Sequence, residues 1–289
     1  MRSMTGYGRC RRTADGREMT VEVKTVNHRF LDVALRMPRC LGFAEQDVRE
    51  QLSQALRRGH ADVSVTYRNT RPDARRVVCD PALAAAYREA LSELGAATGA
   101  DGGAPLSLYA ALPDVLTVTE AEEDAQAVGA LIRETLGGAL EQADVLRVRE
   151  GEALKADLSL HLSLLEALRE KIAARAPGVA QDYRQRLLAR IAEMGVTEID
   201  QQRVVQEVAI FADRAAIDEE LSRLDSHIRQ AYRLMEEEPC GSKLNFLAQE
   251  MNREVNTIGS KALDAEIARL VVDAKSEIEK LREQIQNVE

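Results

Sequence analysis

Glu250 and Glu254 stand one helical turn apart in Gly241–Lys261, GSKLNFLAQEMNREVNTIGSK, so a helix there points both carboxylates the same way. The stretch also carries Lys243, Gln249, Asn252, Arg253, Asn256, Thr257 and Lys261. Asn and Thr are mediocre helix formers, and a face that only meets solvent favours Glu, Lys and Ala. Such a polar set suits a metal ion, a phosphate or a nucleobase. A second group lies upstream, with Asp213, Asp218, Glu219, Glu220 and His227; Glu219, Arg223 and His227 follow one another at i, i+4. If the break at Pro239–Gly241 folds the next helix back antiparallel, Glu250 and Glu254 approach Glu219 and His227. Three carboxylates and one imidazole suit Mn²⁺ or Mg²⁺ better than structural Zn²⁺. The same residues also suit an interhelical network of salt bridges with Arg223 and Arg253.

A third group is Asn27-His28-Arg29, with Arg36 and Arg39 downstream. Arg29 can clamp a phosphate bidentately and His28 can carry a proton. A polar turn with solvated arginines accounts for the same residues. The opening Arg2–Arg9, RSMTGYGR, has two glycines that permit a tight backbone near a ligand, or an opening strand with a bulge. It does not match a phosphate-binding loop, and the chain has no GxSxG, HExxH or GxxxxGK[ST].

These groups need elements to position them. Met19, Val21 and Val23 alternate with polar residues, as do Leu31, Val33, Leu35 and Met37, and Val63, Val65 and Tyr67, which predicts strands. Leu41, Ala44, Val48, Leu52 and Leu56 follow a helical period that ends at Arg57-Arg58-Gly59-His60. Asp80-Pro81 starts a helix to about Leu94, Gly95–Pro105 reads as a mobile connection, and Leu112-Pro113-Asp114 marks a turn. From Ala125 the sequence is helical almost to its end. One long helix is expected to stop at Pro177-Gly178 and the next at Gly195. Asp200 caps a third, running past Ala231, and Ser242 caps a fourth. The fold class is therefore α+β: a small antiparallel N-terminal sheet with covering helices, followed by a long-helix C-terminal region. The expected divisions are a basic α+β part at 1–78, a helical connecting region at 79–150, a long helical hairpin at 151–200 and a C-terminal helical domain at 201–289 that holds the proposed metal and RNA site.

The 289 residues carry a formal net charge of -9, yet Lys and Arg outnumber Asp and Glu within residues 1–78. A basic N-terminal part joined to an acidic helical part is an electrostatic footprint for a polyanion. With four Phe, six Tyr and no Trp, a stacking platform for single-stranded bases is not expected. Four scattered cysteines argue against a disulfide framework and a structural zinc site. No apolar run spans a bilayer and no signal peptide is evident, so a cytoplasmic protein with no membrane association is expected.

The chain resembles the YicC/YloC family of bacterial endoribonucleases. The resemblance is carried by RSMTGYGR, by VNHRFLDV at Val26–Val33, RRGHADVSV at Arg57–Val65 and REGEAL at Arg149–Leu154. DEELSRLDSHI at Asp218–Ile228, the Gly241–Lys261 stretch and KSEIEKLREQIQNVE at Lys275–Glu289 complete it. It implies an RNA-cleaving enzyme in RNA turnover, aided by a divalent metal, Mn²⁺ or else Mg²⁺, and a homo-oligomer, a hexamer, that grips RNA between protomers. With it, an ion site beside a basic RNA-binding region takes precedence over the salt-bridge network. Glu219, His227, Glu250 and Glu254 then hold the metal. Glu250, Glu254, His227 and His28 are catalytic, and Arg29, Arg36, Arg39, Lys243, Arg253 and Lys261 bind RNA. Two other classes fit the composition: a non-catalytic RNA-binding adaptor that modulates another ribonuclease, and a helical assembly scaffold. RNA cleavage by the purified protein separates them.

Overall fold

The computed structural model describes residues 1–99, 104–121, 123–195 and 200–289. Strands β1 (Gly6–Ala14), β2 (Arg17–Val26) and β3 (Leu31–Arg36) are followed by a 3-10 turn (Arg39–Ala44), helix α1 (Glu45–Ala55) and β4 (Gly59–Asn69). A two-stranded ribbon of β5 (Arg75–Cys79) and β6 (Leu116–Glu120) brackets α2 (Pro81–Thr98) and α3 (Leu106–Ala111). Five helices complete the chain: α4 (Ala125–Glu193), α5 (Gln201–Ala215), α6 (Asp218–Leu234), α7 (Gly241–Lys261) and α8 (Ala265–Ile285). The class is α+β as expected.

The main sheet has the order β1-β2-β4-β3. It is mixed, not antiparallel: β3 lies parallel to β4, with Leu31 opposite Gly59 and Arg36 opposite Ser64. The 3-10 turn and α1 between these strands make the crossover that parallel pairing requires. One face is buried. Met19, Val21 and Val23 of β2 and Ala61, Val63 and Val65 of β4 pack with Leu41, Val48 and Leu52, and with Val128, Ile132 and Leu136 of α4. Period-two alternation then turns Glu22, Lys24, His60, Asp62 and Arg36 to the opposite face.

The two glycines of RSMTGYGR serve this packing and not a ligand. A Cβ on Gly8 would lie 1.9 Å from the Ala139 carbonyl oxygen, and one on Gly6 would lie 2.7 Å from Cγ of Arg147. The strand can carry α4 so close only because it has no side chain there. Gly8→Ala should destabilise the protein by about 1–3 kcal/mol, the usual cost of forcing volume into a packed site. The checking measurement is a urea midpoint that falls while the slope stays constant. An unchanged midpoint would mean that α4 slides aside freely.

Helix α4 runs unbroken for 69 residues, about 100 Å at 1.5 Å per residue, so the helical hairpin expected at 151–200 does not form. Pro177 lies inside it. An internal proline costs roughly 3 kcal/mol, but Ile172 and Val179 on either side are buried against the C-terminal helices, and that packing holds the helix on course. The helix does end near Gly195, which takes φ 74°. The helix expected from Asp200 onward is two: α5 is capped by Asp200, whose carboxylate accepts from the N–H groups of Gln202 and Arg203, and the chain turns at Ala216–Ile217 before α6. Buried Ile217 is drawn into the core, and no Gly or Pro marks that break.

Ser242 is not a cap. Gly241 already begins α7, and its N–H and that of Cys240 donate to the Glu289 carbonyl oxygen at 3.3 and 3.1 Å. Helix α2 extends to Thr98; within the connection expected at Gly95–Pro105, residues 100–103 lie outside the described residues. Among the described residues, no helix is long and apolar enough to cross a membrane.

Candidate active site

The parallel pairing of β3 with β4 sets Asp32 directly opposite His60 on the open face of the sheet. Gly59, at φ 113°, takes a conformation open mainly to glycine and brings the chain into β4 just before His60. Asp32 Oδ2 lies 2.8 Å from His60 Nδ1. An ionised carboxylate only accepts, so His60 Nδ1 carries hydrogen and Nε2 is the atom left for other partners.

His28 sits in the short connection from β2 to β3. Its Nδ1 lies 2.9 Å from the Phe30 carbonyl oxygen, which assigns hydrogen to Nδ1 and leaves a lone pair on Nε2 in the neutral ring. The His28 and His60 ring centroids are 6.4 Å apart, nearly edge to face. Arg58 Nε donates to the His28 carbonyl oxygen at 3.1 Å and braces the loop. Arg29 lies over the Phe30 ring, 5.1 Å from its centroid, and the ring is 65% exposed. The place thus holds a hydrogen-accepting imidazole, a carboxylate-backed imidazole, two arginines and one open aromatic face. The sequence reading included His28 and Arg29 but missed His60 and Asp32. Their signal was a His in one strand pattern and an Asp in another, silent until the register is known.

The C-terminal set behaves otherwise. Glu219 binds Arg223 within α6, and Arg223 Nη1 also lies 3.8 Å from Oε1 of buried Glu254 on α7. His227 Nδ1 is buried with no hydrogen-bond partner among the described residues. Among those residues, no group of three or more His, Cys, Asp or Glu is placed to hold a metal ion. Glu219, His227, Glu250 and Glu254 therefore do not form a cation cage within one chain. The residue between the carboxylates is a guanidinium, which already supplies their counter-charge. The assigned cations are also divided. Lys261 Nζ binds buried Glu220 at 2.6 Å, Lys243 binds Glu237 at 2.9 Å and Arg36 binds Asp62 at 3.1 Å. Arg39 lies at the far end of β3 and Arg253 is exposed on α7.

A further ionic centre went unread. Glu123 accepts from Tyr67 Oη at 2.5 Å, Asn69 Nδ2 at 2.6 Å, Arg17 Nε at 3.0 Å and Arg71 Nη2 at 3.1 Å. Burial alone would push its carboxyl up, but the hydrogen bonds from Tyr67, Arg17 and Asn69 prevail and hold it below the usual carboxylate range. Burial, then the bond to Glu123, raises the Tyr67 phenol, so it remains a donor. Glu123 lies in the acidic run Glu120–Asp124, which reads as solvated sequence until the fold draws Arg17 and Arg71 to it.

Comparison with known proteins adds two findings. A family model described as "Endoribonuclease YicC-like, N-terminal region" matches residues 1–156, and one described as "Endoribonuclease YicC-like, C-terminal" matches residues 172–289. Among full-length relatives, "Probable endoribonuclease YicC" of Clostridioides difficile (strain 630) is 37% identical over 290 residues, covering 99% of each chain. The protein of the same name from Haemophilus influenzae (strain ATCC 51907 / DSM 11121 / KW20 / Rd) is 32% identical over 288 residues, again covering 99% of each.

Proposed function

The chain belongs to the YicC-like endoribonuclease family, and from that premise we propose that it cleaves RNA by internal attack of the 2′-hydroxyl, with His28 as general base and His60 as general acid. The observation that carries this reading is the pair of imidazoles 6.4 Å apart, each held through Nδ1 with Nε2 left free, His28 against a backbone carbonyl and His60 against a carboxylate. His28 Nε2 takes the proton from the ribose O2′. The O2′–P bond forms and the P–O5′ bond breaks. His60, as the imidazolium backed by Asp32, gives the proton from Nε2 to the departing O5′. Arg29 and Arg58 are the nearby cations that can meet the charge on the non-bridging phosphate oxygens. The products are a 2′,3′-cyclic phosphate and a 5′-hydroxyl, and no group outside the chain is consumed.

A requirement for Mn²⁺ or Mg²⁺ is a separate proposal. The four residues assigned to it on α6 and α7 do not fit a cation within one chain, and no step above runs through one. The wider proposal is that the protein works in RNA turnover in the cytoplasm as a homo-oligomer, a hexamer. Outward apolar residues on α4, such as Val145 at 72% exposure and Leu160 at 54%, support self-association. End analysis of cleaved, labelled RNA, with and without EDTA, tests the chemistry. The histidine mechanism requires cyclic-phosphate ends and cleavage that survives chelation. Exclusive 5′-phosphate ends together with complete loss in EDTA would reject it. RNA binding without any cleavage would favour the adaptor reading.

A further inference from the structure

A cleft of about 810 Å³ opens at the end of β3 and β4 remote from the histidines, between the 3-10 turn, the end of β4 and the start of β5. That volume lies within the usual range for ligand sites of about 300–1,000 Å³. Arg39, Arg68 and Arg75 line it, together with Phe43 and Glu120, and Glu123 contributes to its wall.

Three observations give the cleft a ligand class. The first is charge. Arg9, Arg11, Arg17 and Arg36, elsewhere on the same sheet, each have a carboxylate partner. Among the described residues, no carboxylate lies within 4.0 Å of the guanidinium nitrogens of Arg39, Arg68 or Arg75. Glu123 does not serve them, because its oxygens are taken by Arg17, Arg71, Tyr67 and Asn69. Three guanidiniums around one opening favour an anion, and arginine suits phosphate in particular.

The second is an aromatic face. Phe43 is 48% exposed at the cleft and Phe30 is 65% exposed beside His28, so an open ring stands at each end of β3. An exposed ring is a platform for a nucleobase and needs no particular sequence. The third is continuity. His60 and Arg68 share the open face of β4, eight residues and about 26 Å apart at roughly 3.3 Å per residue. The edge strand β3 runs beside β4 over part of that distance. Cys40, also in the lining, has its thiol pushed up, first by partial burial and then by Glu120, so it stays a thiol.

We infer that this cleft is a second nucleotide-binding subsite for single-stranded RNA, holding a phosphate between Arg39, Arg68 and Arg75 and a base on Phe43, several nucleotides from the bond at His28 and His60. The inference rests on the RNA-cleaving reading above for its ligand, but not on which residues perform the cleavage. Short RNA occupies the histidines alone; longer RNA occupies both places.

Two probes separate the sites. A 2′-O-methyl RNA 12-mer lacks the attacking hydroxyl and reports binding by fluorescence anisotropy. A cleavable trinucleotide is too short to reach the cleft. Arg39→Ala/Arg68→Ala/Arg75→Ala should weaken the 12-mer at least tenfold and reduce the slope of log K against log salt by about 0.7, as expected when one phosphate of a single strand is no longer neutralised. Phe43→Ala, made alone, should weaken the 12-mer at unchanged salt slope, because stacking releases no counterions. Both variants should cleave the trinucleotide as wild type, which also shows that they are folded. A 12-mer bound by the triple variant with unchanged affinity and slope would overturn the inference, as would equal losses on the trinucleotide. Normal cleavage by His28→Ala and His60→Ala, beside the expected 12-mer losses, would overturn the histidine mechanism and leave the cleft supported.

Discussion

His60→Ala and His28→Ala should each slow RNA cleavage by about 10²–10⁴-fold, the range expected for losing a positioned general acid or base. The two losses differ in kind. A 5′-bridging sulfur makes the leaving group good enough to depart without a proton. Such a substrate should restore cleavage by the His60 variant and leave the His28 variant slow. Asp32→Asn keeps an acceptor for His60 Nδ1 but removes the negative charge behind the proposed acid, so its defect should be repaired by the same substrate. In the proposed mechanism Asp32 acts through His60 as a positioning residue, and this rescue is a readout that a merely structural role would not move. His28 is exposed and His60 partly so; their replacement should change stability by no more than about 0.5 kcal/mol. Wild-type rates in both variants would reject the mechanism. Equal rescue of both by the sulfur substrate would reject the division of roles.

Glu123→Gln should cost about 3–5 kcal/mol, because it leaves buried Arg17 without its counter-charge. Glutamine still accepts from Tyr67 and Asn69, so the loss reports the ion pair more than the shape. The pH dependence carries a definite sign. Glu123 is held below its ordinary value in the folded protein, so its contribution is complete above the unfolded carboxyl pKa of about 4.3 and is lost as pH falls through the lower folded value. The gap in urea midpoint between wild type and Glu123→Gln should be widest near neutrality and close in acid. A gap that persists undiminished at pH 2–3 would show that packing, not charge, holds the centre.

Much of this architecture is written locally. Met19, Val21, Val23, Val63 and Val65 announce a one-sided sheet because alternation acts over neighbouring residues. Asp80 and Asp200 announce helix starts because a cap needs only its own first turn. What escaped depends on partners distant in sequence. The direction of β3 against β4 decides whether Asp32 meets His60, and neither residue records it. Glu123 belongs to an acidic run until Arg17 arrives from β2. Pro177 reads as a stop, yet helix packing on both sides overrides a local preference of a few kcal/mol. At Ile217 the reverse occurs, and a core contact ends a helix where no breaker stands. The face of Gly241–Lys261 looked too particular for solvent, and part of the reason is ionic: Glu254 answers Arg223 and Lys261 answers Glu220.

Pro177 has one more consequence, mechanical in nature. It lacks an N–H, so the backbone ladder of α4 misses a rung there and the rod is least stiff at that point. Sixteen helical residues lie beyond it, a lever of about 24 Å, and a 10° flex at the proline swings the tip by roughly 4 Å. Tyr183 on that lever stacks on Phe211 of α5 at 3.9 Å, so α5 travels with it. The sheet end of the rod, clamped over Gly8, stays still.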